Sequence, residues 1–413
     1  MNEKISFLNL FFQPAKDPRP LLLTEILSEH FPFLLFIYDV ESRSVRYINQ
    51  NFTDAASQYK FLMKNLPADK FPRSYDAKAD KLVTSGSEWW CSGFYPGTLW
   101  MLYDATKDNT IKEEALKRLV ILEDVKTFTG NHDLGFMMYC SFGNAYAITN
   151  NPEYKEVILT SANSLATRYR PSIKVIQSWD SSSNFKCPVI IDNMMNLELL
   201  EWAAANGGDN KLHQVAINHA NTTLKNHFRK DNSSYHVLDY DLKSGTVSRK
   251  VTHQGFSNES AWSRGQAWGL YGYVVMYRFN KDKKYLDQAN KIASFILNHP
   301  NLPADKIPYW DFNAANIPNA KRDASAGAIT ASALLELAQY SKGKKKKEYV
   351  SIAEQILQSL SSPAYRAPIG TNGGFLIMHN VGSLPHNSEV DVPLTYADYY
   401  FIEALTRYKK WYL

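Results

Sequence analysis

Six short stretches of this chain gather the side chains that can hold protons, bind anions or lie flat against a sugar. They are Trp90-Cys91-Ser92-Gly93-Phe94, His132-Asp133, Ile191-Asp192-Asn193, Trp262-Ser263-Arg264-Gly265, Arg322-Asp323 and Asn387-Ser388-Glu389-Val390-Asp391. Asp133 and Asp192 are the pair that could carry acid/base chemistry. Such work asks for a carboxyl able to keep a proton near neutral pH, and burial beside aromatics and a second carboxylate raises a pKa in that way. Indole and phenol faces suit the C–H faces of sugars as well as they suit a core. The same aspartates, with Asp323 and Asp391, also have the residue type preferred at helix N-caps, and capping does not exclude catalysis.

These stretches recur at the starts of helical segments. From about residue 48 onward, helical periodicity alternates with Gly, Pro and Asn breaks, and few stretches alternate as strands do. Amphipathic segments begin near Asn51, Lys112, Pro152, Lys211, Lys283 and Lys347, each charged on one face, and read as outer helices. Between them fall segments that are apolar or small on most faces: Gly97 to Tyr103, Leu134 to Tyr139, Asn193 to Leu200, Gly265 to Tyr271, Ala326 to Ala331 and Tyr396 to Phe401. A helix apolar all round belongs inside. Outer and inner segments in strict alternation predict an all-α fold, an (α/α)6 barrel of six helical hairpins. All inner helices then run the same way, and their N-termini collect on one rim, where unpaired backbone N–H groups and helix dipoles favour an anion.

Composition narrows the partners. The chain has 413 residues, of which 45% are hydrophobic and 21% charged, so a sizeable core can form and bulk disorder is excluded. A net charge of +5 suits an anionic ligand but falls far short of a nucleic-acid footprint. The three cysteines, Cys91, Cys140 and Cys187, have no metal-ligand spacing and suggest neither a disulfide framework nor a zinc site. The basic run Ser341 to Lys347 reads as a solvated turn between helices. The apolar stretch Ile5 to Phe12 is short and lacks a strong basic lead and a small-residue cleavage site, so it makes a poor signal peptide, and Phe31 to Tyr38 is too short to span a bilayer. Residues 1–47 are therefore set apart as an extension of uncertain structure, residues 48–413 as the barrel domain, and the compartment, periplasmic or cytoplasmic, stays open.

The rim segments resemble the unsaturated glucuronyl hydrolases of glycoside hydrolase family 88, over roughly residues 48–413. The most specific pieces are His132-Asp133-Leu-Gly-Phe136, Ile191-Asp192-Asn-Met-Met-Asn-Leu197, Thr252-His253-Gln254-Gly255 and Ser260-Ala-Trp-Ser-Arg264-Gly-Gln-Ala-Trp268. The resemblance implies a substrate with a Δ4,5-unsaturated uronic acid at its nonreducing end, the mark left by a polysaccharide lyase. Its source would be a glycosaminoglycan or a related acidic polysaccharide. The family's enzymes hydrate the vinyl ether, and the product falls apart to release the sugar, with no cofactor and no glycosyl-enzyme bond. By resemblance Asp192 is the general acid/base, protonating C4 and activating water toward C5, while Asp133 orients and stabilises the reacting group. Trp90 and Trp268 match rings that stack on the uronic acid. Arg264, Gln254, His236 and Thr252 match substrate-binding positions. Core packing remains the other reading of Trp90, Trp268 and His236, as does loop bracing through a carboxylate for Arg264. Cys91 departs from the family pattern, in which Thr commonly follows the Trp, and this touches substrate preference. The unsaturated rhamnogalacturonyl hydrolases share the chemistry, but their Arg-Gly-Asn-Gly-Trp differs from Arg264-Gly-Gln-Ala-Trp268 here. A sugar-binding barrel that had lost catalysis would be expected to lack an aspartate, and both are present.

Overall fold

Alternation of stripe-faced and apolar helices is borne out around the ring, with the inner position after Asp133 taken by a π-helix. The computed structural model describes the backbone of residues 32–413 and the side chains of residues 43–413. The odd-numbered helices are α1 (Pro32–Asn65), α3 (Asn109–Leu122), α5 (Pro152–Ala166), α7 (Lys211–Asn226), α9 (Lys283–Asn298) and α11 (Gly343–Ser361). The even-numbered ones are α2 (Phe94–Thr106), α4 (Asn144–Thr149), α6 (Asn193–Ala205), α8 (Ser263–Asn280), α10 (Ala324–Gln339) and α12 (Thr395–Tyr412), with a π-helix, Gly135–Gly143, leading into α4. In α9 the buried residues form one stripe, Tyr285, Gln288, Ala289, Ile292, Ala293 and Ile296. By contrast every residue of α10 from Ala324 to Ala338 is buried. The stripe gives an outer helix one apolar face to lay down, and the apolar surround of α10 can be satisfied only in the interior.

Packing closes the inner helices into a ring: α2 meets the π-helix, the π-helix α6, α6 meets α8, α8 meets α10, α10 meets α12, and α12 returns to α2. Close approach is built in where α2 crosses the π-helix. A Cβ on Gly93 would lie 2.1 Å from the Met137 carbonyl oxygen, and one on Gly97 would lie 2.2 Å from that of Cys140. The chain's contacts divide it after Ile48, so α1 contributes to the barrel unit from Asn49 onward, and that unit runs to Tyr412. The expectation for residues 1–47 falls largely outside the described residues.

Three sequence expectations need correction. The basic run is not a turn: α11 begins at Gly343, so Lys344 to Lys347 form its first helical turns, facing solvent. Lysines are unfavourable at an N-terminus, and burial of Tyr349, Ala353, Ile356, Leu357 and Leu360 against the barrel holds the helix instead. The segment around Asp391 is not a helix start either, because Ser388–Val392 is a strand paired antiparallel with Asn380–Ser383. Finally, the breaks between helices hold short strands: β1 (Phe71–Asp76) with β2 (Lys81–Ser85), β3 (Tyr169–Arg170) with β4 (Val175–Ile176), the three-stranded set β5 (Pro188–Ile190), β6 (Val237–Tyr240) and β7 (Val247–Val251), and the hairpin β8 (Asn380–Ser383) and β9 (Ser388–Val392). Strands this short show little periodicity, which is why the sequence reads them as breaks.

Candidate active site

The N-terminal rim of the inner helices frames a cavity of about 350 Å³ lined by Trp90, Asp133, Asp192, Gln254, Arg264 and Tyr396, together with residues of the rim hairpins. Asp133 precedes the π-helix, its backbone N–H donating to Asn131 Oδ1 at 2.9 Å and its carbonyl accepting from Met137 at 2.9 Å. Asp192 holds the N-cap position of α6, but its side chain makes no capping bond. The two segments are tied together by Asn196 of α6, whose Oδ1 accepts from the Phe136 N–H at 3.0 Å. Ser178 adds a second tie: its carbonyl accepts from the backbone N–H of His132, and its hydroxyl donates to Asn193 Oδ1.

Both carboxyls are held toward their neutral forms. Burial pushes Asp133 up to about 7, against the opposing pull of Arg168 and of a hydrogen bond from Asn196. Burial likewise pushes Asp192 up to about 6, opposed by His132 and Arg264 and reinforced by Asp133. The neighbouring imidazoles are neutral. His132 is brought down to about 4 by burial; its Nδ1 donates to the Ser178 carbonyl at 3.0 Å, which leaves Nε2 unprotonated, 3.2 Å from Asp133 Oδ1. His236 Nδ1 accepts from the backbone N–H groups of His253 at 3.2 Å and Gln254 at 3.1 Å, so its proton sits on Nε2, 3.8 Å from Asp192 Oδ2. Burial holds His236 well below its ordinary pKa. Neither contact is therefore an ion pair. Asp192 Oδ2, His132 Nε2 and His236 Nε2 are all buried without a hydrogen-bond partner, an unusual concentration that suits groups kept for a reacting molecule.

The other residues singled out in the sequence divide between wall and support. Trp90 lines the cavity, with ring contacts to Phe94, Phe136 and Tyr396. Trp268, expected as a stacking ring, is 1% exposed and lies in the core beneath, against Phe136 and Tyr400. Gln254 lines the wall while its Nε2 donates to the Gly382 carbonyl at 2.9 Å. Thr252 is off the cavity, its Oγ1 accepting from the Gly255 N–H to shape the loop that presents Gln254. Arg264 reaches the wall but is heavily committed: it pairs with Asp323 at 2.9 Å and donates to the Val381 and Gly382 carbonyls. Cys91 is buried behind Trp90 and does not line the cavity. Of the four aspartates that could have been caps, only Asp323 accepts a capping bond, from the Ser325 N–H; Asp391 instead pairs with His379 and Lys321. The sequence reading missed Arg73, Trp89, Trp179, His253 and His386, which also line the cavity. They sit on hairpins and loops, with no helical period to flag them. Arg73 of β1 lies over the Trp89 ring and pairs with Glu389 of β9 at 2.8 Å, a contact between distant parts of the sequence.

A ring of helical hairpins with two buried carboxyls and aromatic walls on one rim is an (α/α)6 barrel with a rim cavity suited to acid/base chemistry. Comparison with known proteins makes this specific: the profile described as Glycosyl Hydrolase Family 88 matches residues 65–411, and the chain belongs to that family. It is 46% identical over 364 residues to an unsaturated glucuronyl hydrolase of Formosa agariphila, spanning 87% of this chain and 90% of the relative. It is 33% identical to an unsaturated chondroitin disaccharide hydrolase of Streptococcus pneumoniae, over 78% of this chain and 83% of that one. Among solved structures, an unsaturated glucuronyl hydrolase specific for heparin superposes with a TM-score of 0.85 at 45% identity, covering 88% of this chain and 97% of that one.

Proposed function

We infer that this chain releases a Δ4,5-unsaturated uronic acid from the nonreducing end of oligosaccharides made by polysaccharide lyases, by hydrating the C4=C5 vinyl ether. The observation that carries the assignment of roles is the buried, unpartnered Asp192 carboxyl, held to about 6 beside a second carboxyl held to about 7. Near neutral pH such a group can give a proton to C4 and then, as a carboxylate, take one from the water that adds at C5. The hemiketal so formed opens and the leaving sugar departs. His236, with its proton fixed on Nε2 and no partner for it, stands 3.8 Å from Asp192 Oδ2, placed to donate to the reacting sugar. Asp133, next to the unprotonated His132 Nε2, stabilises the charge that develops on the ring. Gln254 and the Trp90 ring flank the sugar.

Relatives named for chondroitin disaccharides and heparin support a glycosaminoglycan source. The catalytic unit is assigned to residues 48–413, supported by the division of contacts after Ile48. The test is loss of the ultraviolet absorbance of the C4=C5 bond across a panel of lyase-generated disaccharides, with saturated glucuronides as controls. Turnover of unsaturated glycosaminoglycan disaccharides is expected; activity only on saturated glucuronides, or only on rhamnogalacturonan fragments, would overturn the reading.

A further inference from the structure

On the cavity wall the Tyr396 hydroxyl has no task in the proposed reaction. Tyr396 is the second residue of α12, is 2% exposed and lines the cavity, and its hydroxyl is buried with no hydrogen-bond partner. A buried polar group left unpaired costs about 1–3 kcal/mol, so a fold keeps one where something else completes it. Among the described residues, the other orphaned atoms on this wall are His132 Nε2 and Asp192 Oδ2, which belong to the acid/base pair, and Arg73 Nε, whose guanidinium is anchored to Glu389.

The surroundings of Tyr396 say what it would bind. Its ring lies 5.2 Å from the Arg264 guanidinium and 5.0 Å from the Trp90 ring. Arg264 cannot swing toward a ligand, being held by Asp323 and two backbone carbonyls, but its charge still reaches the corner. Arg264 and Tyr396 are each the second residue of an inner helix, so the positive ends of α8 and α12 converge on the same place. The nearby Glu389 carboxylate is drawn off by Arg73. Burial keeps the phenol protonated, with Glu389 and Asp323 raising its pKa and Arg264 opposing them, so its O–H is available to donate at working pH. A positive corner with one free O–H donor, at the edge of an aromatic platform, fits a carboxylate on a stacked sugar ring.

We propose that Tyr396 is a substrate-binding residue whose hydroxyl donates to the carboxylate of the unsaturated uronic acid, with Arg264 supplying fixed positive charge behind it. The inference rests on the function proposed above and adds how its defining anionic group is recognised. The experiment compares the wild-type chain with Tyr396→Phe on an unsaturated disaccharide and on its uronate methyl ester, following ultraviolet absorbance. A hydrogen bond to a charged group corresponds to a loss of about tenfold or more in kcat/KM, carried by KM, for the free acid. On the methyl ester the loss should shrink to about threefold, since a neutral acceptor makes a bond roughly half as strong. Melting temperature should not fall, because Phe removes only an unpartnered group. Equal KM for the acid in both proteins, or the same fold loss on acid and ester, overturns the proposal. Failure of the wild-type chain to turn over any unsaturated disaccharide would instead refute the underlying reaction, and is read separately in the wild-type control.

Discussion

Asp133 and Asp192 carry pKa values raised by burial, and that has consequences for both rate and stability. With Asp192 as the general acid, which must be protonated when it meets the vinyl ether, kcat/KM should fall as pH climbs through about 6, measured on an unsaturated disaccharide. Asp192→Asn and Asp133→Asn should each cut turnover by roughly 10²–10⁴-fold or more. Stability moves the other way. In the unfolded chain both carboxyls ionise near 3.8, whereas in the fold they hold protons to about 6 and 7, so their contribution is present at low pH and lost as pH rises through that window. The Asn variants remove this penalty and should melt higher than the parent at pH 8, with the gain gone at pH 4; a lower melting temperature at pH 8 would mean that the carboxylates support the fold. At this scale much was legible. The two aspartates, Trp90, Gln254 and Arg264 were read from their motifs, and all line one cavity. Trp268 was misplaced as a wall residue because a tryptophan at the start of an inner helix gives no sign, by type or spacing, of whether its ring turns to the cavity or to the core.

Elements decide which of two similar aspartates matters to the fold. Asp323 caps α10 and is the carboxylate partner of Arg264, both essentially fully buried. Asp323→Ala should cost about 3–5 kcal/mol in denaturant melts, because it strands the Arg264 charge in the interior. Asp391 pairs with His379 and Lys321 at half-exposed positions, and Asp391→Ala should cost less than about 1 kcal/mol. Comparable losses would show that the Arg264 pair is not what holds this corner. The contact between α2 and the π-helix is a second element-scale constraint. Gly93→Ala forces a Cβ onto the Met137 and Phe136 carbonyl oxygens at 2.1 and 2.2 Å. Overpacking of that kind costs about 1–3 kcal/mol, and since the π-helix follows Asp133 directly, activity should fall further than the melting temperature alone explains. Helix order and the sorting of inner from outer were readable because each helix carries its own 3.6-residue pattern. The π-helix, the rim hairpins and the lysine-rich start of α11 were not, because backbone pairing and packing against distant partners override local propensity there.

Closure of the ring depends on charges placed far from the active site. Arg278 of α8 pairs with Glu198 of α6 and Glu336 of α10, and Arg407 of α12 pairs with Glu336 at 3.2 Å and Glu403 at 3.6 Å. Tyr271 of α8 donates to Glu403 at 3.0 Å. Four inner helices are thus joined by one network. Burial works against the Glu336 charge, but the guanidiniums of Arg278 and Arg407 override it and bring the carboxyl down to about 2. That value lies below the unfolded one, so the contribution of Glu336 is full above about 4.5 and is lost as pH falls toward 2. Arg407→Met should destabilise the protein by about 3–5 kcal/mol at pH 7, with a smaller difference at pH 3, read by thermal melts at both. The sequence by itself determined the order and facing of the helices, and with them the rim on which Asp133 and Asp192 gather, because hydrophobic periodicity and helix-start residues are local signals. Only the tertiary structure decided which side chains meet at that rim: Arg73 meets Glu389, Tyr396 meets Arg264, and His236 meets Asp192, because each pair joins elements brought together by strand pairing or helix packing, and no local pattern encodes a contact between residues so far apart in the chain.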